Sequence, residues 1–442
     1  MPTIQASDLK ARLPDVTSSL QAAALDGEVT IVRDQYGVPH IKARTSHDAF
    51  FAQGFVTAQD RLFHMDYDRM RALGRWSEWV GESALAQDTL MRKLGLGRAA
   101  QADLNVSAPP AQAMVSAHTA GINFYLSTLS EAALPVEYAL AERGMPDAWE
   151  DWHTFALYKM RNLLMGHLDM KVWRARVVME LGPERAAKLF LGYPEGALVT
   201  TPPNATSGLT VPPLNALATV YEELNPLHEI DCGSNSWVVG GDRTTTGLPL
   251  LAGDSHRGLD TPSVYYQIHM VCDDFAVSGY AVPGVPGAPH FSHTAHVGFG
   301  MTHGYADYQD AFIEHLREQP DGRLEYEYEG GWYPADVRTE LISVKGQSEP
   351  VEIEVVVTRH GPVVEGNPRQ DPGSDGKMEL SPARPIAGIG VAGSGSSSVG
   401  PRVALAACLT GIDERGTKWM DAVLDMLLAK SADDIESAVN EW

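Results

Sequence analysis

Apolar spacing changes period once along this chain, across a stretch rich in Pro, Thr and Asn, and that change limits the fold more than any other feature. From about Ser46 to Val80, Phe51, Phe55, Ala58, Leu62 and Met65 recur at helical spacing, and helical periodicity continues to about residue 190. The following segment, with Tyr193-Pro194-Glu195 and Thr201-Pro202-Pro203-Asn204, carries loop chemistry. After Ser234 the pattern turns to strands. Ser236 to Gly240, Val264 to Val271, Phe275 to Val282 and Val351 to Thr358 are rich in β-branched and aromatic residues, and Asp321-Gly322 and Gly330-Gly331 are turn pairs between further strands. Residues 28 to 43 also read as strand, broken by Gly37-Val38-Pro39. Gly388 to Gly400 reads as a surface loop, and about Trp419 to Trp442 as a last helical piece. Helices followed by strands predict an α+β layered domain.

Composition narrows the class without choosing a function. A chain of 442 residues, 44% hydrophobic and 21% charged, is long enough for a large core or two domains. The formal charge of −23 argues against nucleic acid or an anionic membrane as partner, since both need basic patches. Cys232, Cys272 and Cys408 match neither a disulfide framework nor a zinc knuckle. The first ten residues lack the basic start and apolar run of a signal peptide, and no run is long enough to span a membrane, which leaves the compartment open between the cytoplasm, the slightly favoured reading, and export with a leader absent from this sequence.

The candidate chemistry lies at Cys232-Gly233-Ser234-Asn235-Ser236-Trp237. A serine hydroxyl needs a base within hydrogen-bond reach before it attacks a carbonyl. If Ser234 becomes a new N-terminus, its freed α-amine, with an ordinary pKa of about 8, is such a base. Before that, the hydroxyl can attack the Gly233 carbonyl, and glycine neither blocks attack nor resists a tight turn. Standing alone, a Gly-Ser-Asn run is ordinary turn chemistry.

The surrounding residues extend the pattern. Gly233 to Val239 is followed by Thr246-Gly247-Leu248-Pro249-Leu250-Leu251-Ala252-Gly253-Asp254-Ser255-His256. Upstream stand Arg33-Asp34-Gln35-Tyr36-Gly37-Val38-Pro39-His40-Ile41 and the run from Ala52-Gln53-Gly54 to Asp60-Arg61-Leu62-Phe63-His64-Met65-Asp66. Downstream come Pro283-Gly284-Val285-Pro286-Gly287, Thr302-His303-Gly304-Tyr305-Ala306-Asp307-Tyr308-Gln309-Asp310 and His360-Gly361-Pro362. In this order, from about residue 28 to 365, these runs resemble the penicillin acylase family of N-terminal-nucleophile amidohydrolases.

The resemblance implies a four-layer αββα sandwich with a mainly helical N-terminal part. It implies a small-subunit region over 1–191, a spacer over 192–233 and the N-terminal portion of a large subunit over 234–442, both subunits coming from one precursor. Cleavage at Gly233 is expected, with Ser234 as nucleophile and α-amine base and Asn235 positioning the new terminus. His256 is expected to hydrogen-bond near the nucleophile, and Arg257 to make the acyl pocket partly polar. The family's backbone oxyanion donor aligns with His303 or Gly304. Its second donor, an asparagine, and a following arginine have no match before Asn440-Glu441-Trp442, so the sequence reads as C-terminally truncated against the family.

No cofactor is required by this chemistry. Asp307 and Asp310 resemble carboxylates that hold a structural calcium in some relatives, although Lys171 stands where the completing glutamate would fall. The implied substrates are small-molecule N-acyl amides: penicillin-type side chains, acyl homoserine lactones or similar compounds. Two rivals stay open. Cys232 is an alternative N-terminal nucleophile, and a noncatalytic acylase-like binding protein fits the unmatched second donor. His290, His293 and His296, at every third residue, give a weaker metal pattern.

Overall fold

A threonine marks where the first long helix starts. Thr45 Oγ1 accepts the N–H of Asp48 at 3.1 Å, satisfying one of the donors a helix leaves unpaired at its beginning, and the helix Ser46–Ala72 follows. The computed structural model describes residues 4–166, 168–189, 233–258, 261–304, 306, 308–365 and 402–441. Most of the spacer expected over 192–233, the loop at 388–400, Cys232 and Asp307 lie outside the described residues.

Helices dominate up to Ala186, including Leu85–Leu94, Leu96–Val106, Pro109–Thr128, Asp151–Met165 and Leu168–Leu181. Ser46–Ala72 and Pro109–Thr128 cross with their backbones almost touching. A Cβ on Gly121 would lie 1.9 Å from the Phe51 carbonyl oxygen, and one on Gly54 would lie 2.0 Å from that of His118, so only glycine fits at either position.

Fifteen strands are described. In chain order they are β1 Thr30–Arg33, β2 Pro39–Lys42, β3 Gly233–Val239, β4 Leu250–His256, β5 Tyr266–Val271, β6 Ala276–Ala281, β7 Phe291–Thr294, β8 Gly298–Gly300, β9 Gln309–Glu318, β10 Leu324–Tyr328, β11 Gly331–Pro334, β12 Asp336–Ile342, β13 Val351–Thr358, β14 Gly361–Glu365 and β15 Arg402–Leu409. Among the described residues they form a six-stranded sheet in the order β1-β2-β5-β6-β7-β8, a seven-stranded sheet in the order β11-β10-β9-β15-β14-β13-β12, and the separate pair β3-β4. The α+β class read from the sequence is the architecture observed.

Strand β2 runs parallel to β5, with Ile41 opposite Met270. The first strands of the chain are thereby built into a sheet whose other strands follow residue 233. Ile41, Ile268, Met270 and Val277 point from this sheet into a core shared with Phe50, Val56, Met114 and Phe155 of the helices. Alternation along each strand sends the other set of side chains to the opposite face, and there the β3-β4 pair lies over one end of the sheet. A Cβ on Gly253 would meet the Phe291 ring at 2.3 Å, and one on Gly298 would meet Leu251 at 3.1 Å.

The run expected as one helix from Trp419 is two, Trp419–Leu428 and Ala432–Asn440. The chain breaks where Ser431 caps the second helix, its Oγ accepting the Asp434 N–H while Asp434 accepts the Ser431 N–H. Trp419 stacks on Tyr158 at 4.2 Å between ring centroids, which fastens this end of the chain to the helix Asp151–Met165.

Candidate active site

Register decides what surrounds the Gly-Ser junction. In the antiparallel pair β3-β4, Gly233 lies opposite His256, Ser234 opposite Ser255 and Asn235 opposite Asp254. Paired residues share a face and neighbours along a strand alternate, so Gly233, Asn235, Asp254 and His256 stand together on one side. Ser234 and Ser255 stand on the other.

On the first side, His256 Nε2 lies 3.2 Å from Asn235 Nδ2 and 3.0 Å from Asp254 Oδ2. The same ring flanks the scissile candidate, because a Cβ on Gly233 would sit 3.3 Å from His256 Nδ1. His256 therefore borders the backbone between Gly233 and Asn235 rather than the face that carries the Ser234 hydroxyl. Asp254, which orients the imidazole, was not singled out from sequence. Its signal is the i, i+2 spacing of Asp254 and His256, which on a strand puts both on one face.

On the second side, Ser255 Oγ lies 3.4 Å from the Tyr265 hydroxyl. Arg257 Nε donates to that same hydroxyl at 3.4 Å, and its NH2 reaches Met165 Sδ at 3.9 Å. The His290 ring packs on Tyr265 with centroids 4.7 Å apart. Burial, helped by the positive charges of Arg161 and Arg257, pulls His290 down to about 4, so its imidazole is neutral near pH 7. Its Nδ1 has no hydrogen-bond partner among the described residues. Ser234 thus shares its face of the hairpin with Ser255, whose hydroxyl meets the Tyr265, Arg257, Met165 and His290 cluster.

The oxyanion candidates lie on the segment between β8 and β9. His303 Nε2 is 3.5 Å from the Tyr308 hydroxyl, which itself donates to the Asn162 carbonyl at 3.0 Å. Gly304 is exposed and, among the described residues, has nothing within 4 Å of where a Cβ would stand. Gln309 closes the segment: its Nε2 donates to the Leu163 carbonyl at 3.0 Å and its Oε1 accepts the Leu168 N–H at 3.2 Å, bridging two successive helices. Asp310 has Lys171 as counter-ion, Nζ to Oδ2 3.3 Å. Among the described residues, only Asp26, His47 and Asp48 already hold three metal-type ligand atoms together.

Other motif residues act as clamps. Gln53 makes two bonds to the Gly287 backbone, accepting its N–H at 2.9 Å and donating to its carbonyl at 2.7 Å. Thr154 Oγ1 donates to the Gly284 carbonyl at 2.8 Å. Arg33 joins β1 to the long helix through Asp60 and Gln59, both at 2.7 Å, and Tyr266 donates to the same Asp60 at 2.5 Å. These side chains hold the strands on either side of the junction against the helices. No helix among the described residues is long and apolar enough to cross a membrane.

The family model described as penicillin amidase matches residues 28–442. The chain is similar to the penicillin acylase 2 proenzyme of Pseudomonas sp. (strain SE83), 39% identical over 368 residues covering 81% of this chain and 46% of that protein. It is also similar to the acyl-homoserine lactone acylase QuiP of Pseudomonas aeruginosa, 30% identical over 359 residues covering 80% and 42%. A solved thermostable penicillin G acylase from Alcaligenes faecalis overlaps 40% of this chain and 97% of that one, with a TM-score of 0.33 and 24% identity. The chain spans a little under half the length of the curated relatives it matches. With a family model matching from Glu28 to Trp442, the chain belongs to the penicillin amidase family.

Proposed function

We propose that this chain carries the nucleophile half of an amidohydrolase that cuts itself between Gly233 and Ser234 and hydrolyses N-acyl amides through an acyl-Ser234 ester. The observation that carries the reading is the hairpin register. It sets His256, oriented by Asp254, against the Gly233–Asn235 backbone, and turns Ser234 to the face lined by Tyr265, His290 and Arg257.

In maturation, Ser234 Oγ adds to the Gly233 carbonyl and the peptide C–N bond breaks as the C–O ester forms. Water then cleaves the ester, leaving a carboxylate on Gly233 and a free amine on Ser234. In turnover, that α-amine takes the hydroxyl proton as Oγ attacks the substrate carbonyl, and gives it to the leaving amine as the amide bond breaks. Water hydrolyses the acyl ester by the reverse proton path. His256 and Asn235 position the new terminus, and a backbone N–H at His303 or Gly304 receives the oxyanion. The reading needs no catalytic cofactor, and a structural calcium on Asp310 would share that carboxylate with Lys171, whose Nζ lies 3.3 Å away.

Residues 1–191 form the small subunit in this account, 192–233 the spacer, and 234–442 the start of the large subunit. The parallel β2-β5 ladder keeps the two pieces together after the cut. The penicillin acylase and acyl-homoserine lactone acylase relatives set the candidate substrates. Arg257, and a His290 Nδ1 that has no hydrogen-bond partner among the described residues, favour an acyl group with a polar or acidic end.

Turnover of a panel of N-acyl anilides with apolar, polar and acidic acyl ends tests this. Ser234→Ala is expected to abolish turnover, and Arg257→Leu to raise KM about 10-fold or more for the acidic acyl group while sparing the apolar one. A Ser234→Ala chain that hydrolyses amides as before contradicts the proposal.

A further inference from the structure

The two sides of the β3-β4 hairpin differ at the end that holds the Gly-Ser junction. Asn235, Asp254 and His256 are exposed, whereas Ser234, Ser255 and the following Arg257 are half-buried. The second side is turned to the six-stranded sheet, where a Cβ on Gly300 would lie 3.1 Å from Ser236 Oγ. Ser234 and Ser255 are register partners. Side chains directly opposite in an antiparallel pair have Cβ atoms about 4.5–5.5 Å apart, a separation across which paired hydroxyls hydrogen-bond.

Ser255 is itself held from beneath. Its Oγ lies 3.4 Å from the Tyr265 hydroxyl, and Arg257 Nε donates to that hydroxyl at 3.4 Å. Tyr265 is fixed at both ends. Arg61, on the long helix, donates to the Ser263 and Tyr265 carbonyls at 2.6 and 3.3 Å, and Ser263 Oγ donates to the same Tyr265 carbonyl at 2.9 Å. The ring packs against His290 and Phe291, with centroids 4.7 and 6.2 Å apart. A guanidinium donates hydrogen bonds and never accepts them, so the cationic end of this chain of polar groups can only give.

We propose that Ser255 is a positioning residue for the nucleophile, the last link of a chain in which Arg257 donates to Tyr265, Tyr265 to Ser255 and Ser255 to Ser234 Oγ. The inference rests on the reading of Ser234 as nucleophile. An oxygen that accepts from Ser255 keeps its own proton for the base, which in turnover is the α-amine. Negative charge that builds on Oγ as that proton leaves is met by a donor chain ending on a cation. The same donor meets Oγ again when it departs from the acyl carbon.

The chain also serves the step that precedes the α-amine. Before the cut, the Ser234 nitrogen belongs to a peptide bond and is no base, so the hydroxyl attacks the Gly233 carbonyl with Ser255 as its fixed neighbour. His256 cannot take this part, because register puts its ring on the other side of the hairpin.

The test follows Ser255→Ala, Ser255→Thr, Tyr265→Phe and the double variant Ser255→Ala with Tyr265→Phe. It reads the half-time of self-cleavage, and kcat and KM per cut chain for the N-acyl anilide that the parent hydrolyses fastest. Ser255→Ala is expected to lower kcat and the cleavage rate about 10-fold or more with KM little changed, and Ser255→Thr to recover most of the loss. Tyr265→Phe lowers the same two rates, and the double variant is no slower than Ser255→Ala alone, because both changes break one chain. Ser236→Ala, on the same side with its hydroxyl bonded to the Ala252 carbonyl, leaves both rates unchanged. If Ser255→Ala loses the circular dichroism spectrum of the parent, Tyr265→Phe, which deletes one oxygen, decides the matter. A Ser255→Ala chain that cuts and turns over like the parent, while Ser234→Ala does neither, overturns this inference and leaves the nucleophile reading standing. Losses that multiply in the double variant, or a Ser255→Thr chain no better than Ser255→Ala, reduce Ser255 to packing and overturn it as well. A Ser234→Ala chain that still cuts or hydrolyses, or a parent that does neither, overturns both.

Discussion

Asp103 holds the end of the described chain onto the helical half, and its removal has a calculable cost. The side chain is fully buried in the helix Leu96–Val106. Its Oδ2 accepts from Lys159 Nζ at 2.7 Å and from Trp419 Nε1 at 2.9 Å, and its Oδ1 accepts the Thr417 N–H at 2.7 Å. Lys159, itself buried, donates also to the Gly411 carbonyl at 2.5 Å, and burial pulls its ammonium below the usual lysine range despite the carboxylate. Asp103→Ala leaves that ammonium without an anion and orphans two donors. Breaking a buried pair from one side costs about 3–5 kcal/mol, and each orphaned donor adds about 1–3 kcal/mol where water cannot reach it. Release of the Lys159 proton recovers part of this, so a loss of about 4 kcal/mol is expected. The pair replaced together, Asp103→Leu with Lys159→Met, is expected to restore more than half of it, because no buried charge then remains. Urea unfolding followed by tryptophan fluorescence and circular dichroism gives the values. An Asp103→Ala loss under about 1 kcal/mol, or a double variant no better than the worse single one, refutes the reasoning.

Gly121→Ala drives a methyl group into the backbone of the facing helix and is expected to cost about 3 kcal/mol. Gly97→Ala, whose nearest neighbour is the Trp152 ring at 3.5 Å, is expected to be neutral or stabilising, and equal effects in urea unfolding would sink the packing account. Stability is expected to fall as pH drops below about 6.5. His118, fully buried with neither ring nitrogen bonded among the described residues, is pulled down to about 3 by burial, and His153 likewise. A histidine whose folded pKa lies below its unfolded value gives stability that is full above about pH 6.5 and lost as pH falls toward the folded value, at about 1.4 kcal/mol per pH unit for each proton. His118→Leu is expected to flatten that slope by up to one proton, and a slope unchanged from pH 6.5 to 4.5 speaks against a neutral buried His118.

Local signals carried much of the architecture. Helical spacing around Phe51, Ala58 and Leu62 gave the helix Ser46–Ala72, and β-branched runs gave β5, β6 and β13. Register was not legible, because it depends on partners far apart in the chain. Nothing local says that β2 runs beside β5 more than two hundred residues later, or that Asn235 faces Asp254 while Ser234 faces Ser255. The His290, His293 and His296 spacing, only a weak metal pattern in the sequence, gathers no centre for the same reason. His290 is half-buried against Tyr265, His293 projects from a strand face and His296 sits in the turn after it, so the three share no centre. The motif glutamines and glycines were visible as residues, but their work as clamps, Gln53 on Gly287 and Gln309 between two helices, appears only once distant backbones meet.

Self-cleavage at Gly233–Ser234 is the central claim, and the N-terminal sequence of the purified polypeptides tests it most directly. The account predicts a second polypeptide beginning Ser-Asn-Ser-Trp that is missing from Ser234→Ala. A chain that stays uncut while hydrolysing N-acyl amides at full rate, or a cut that exposes Cys232 instead, contradicts it.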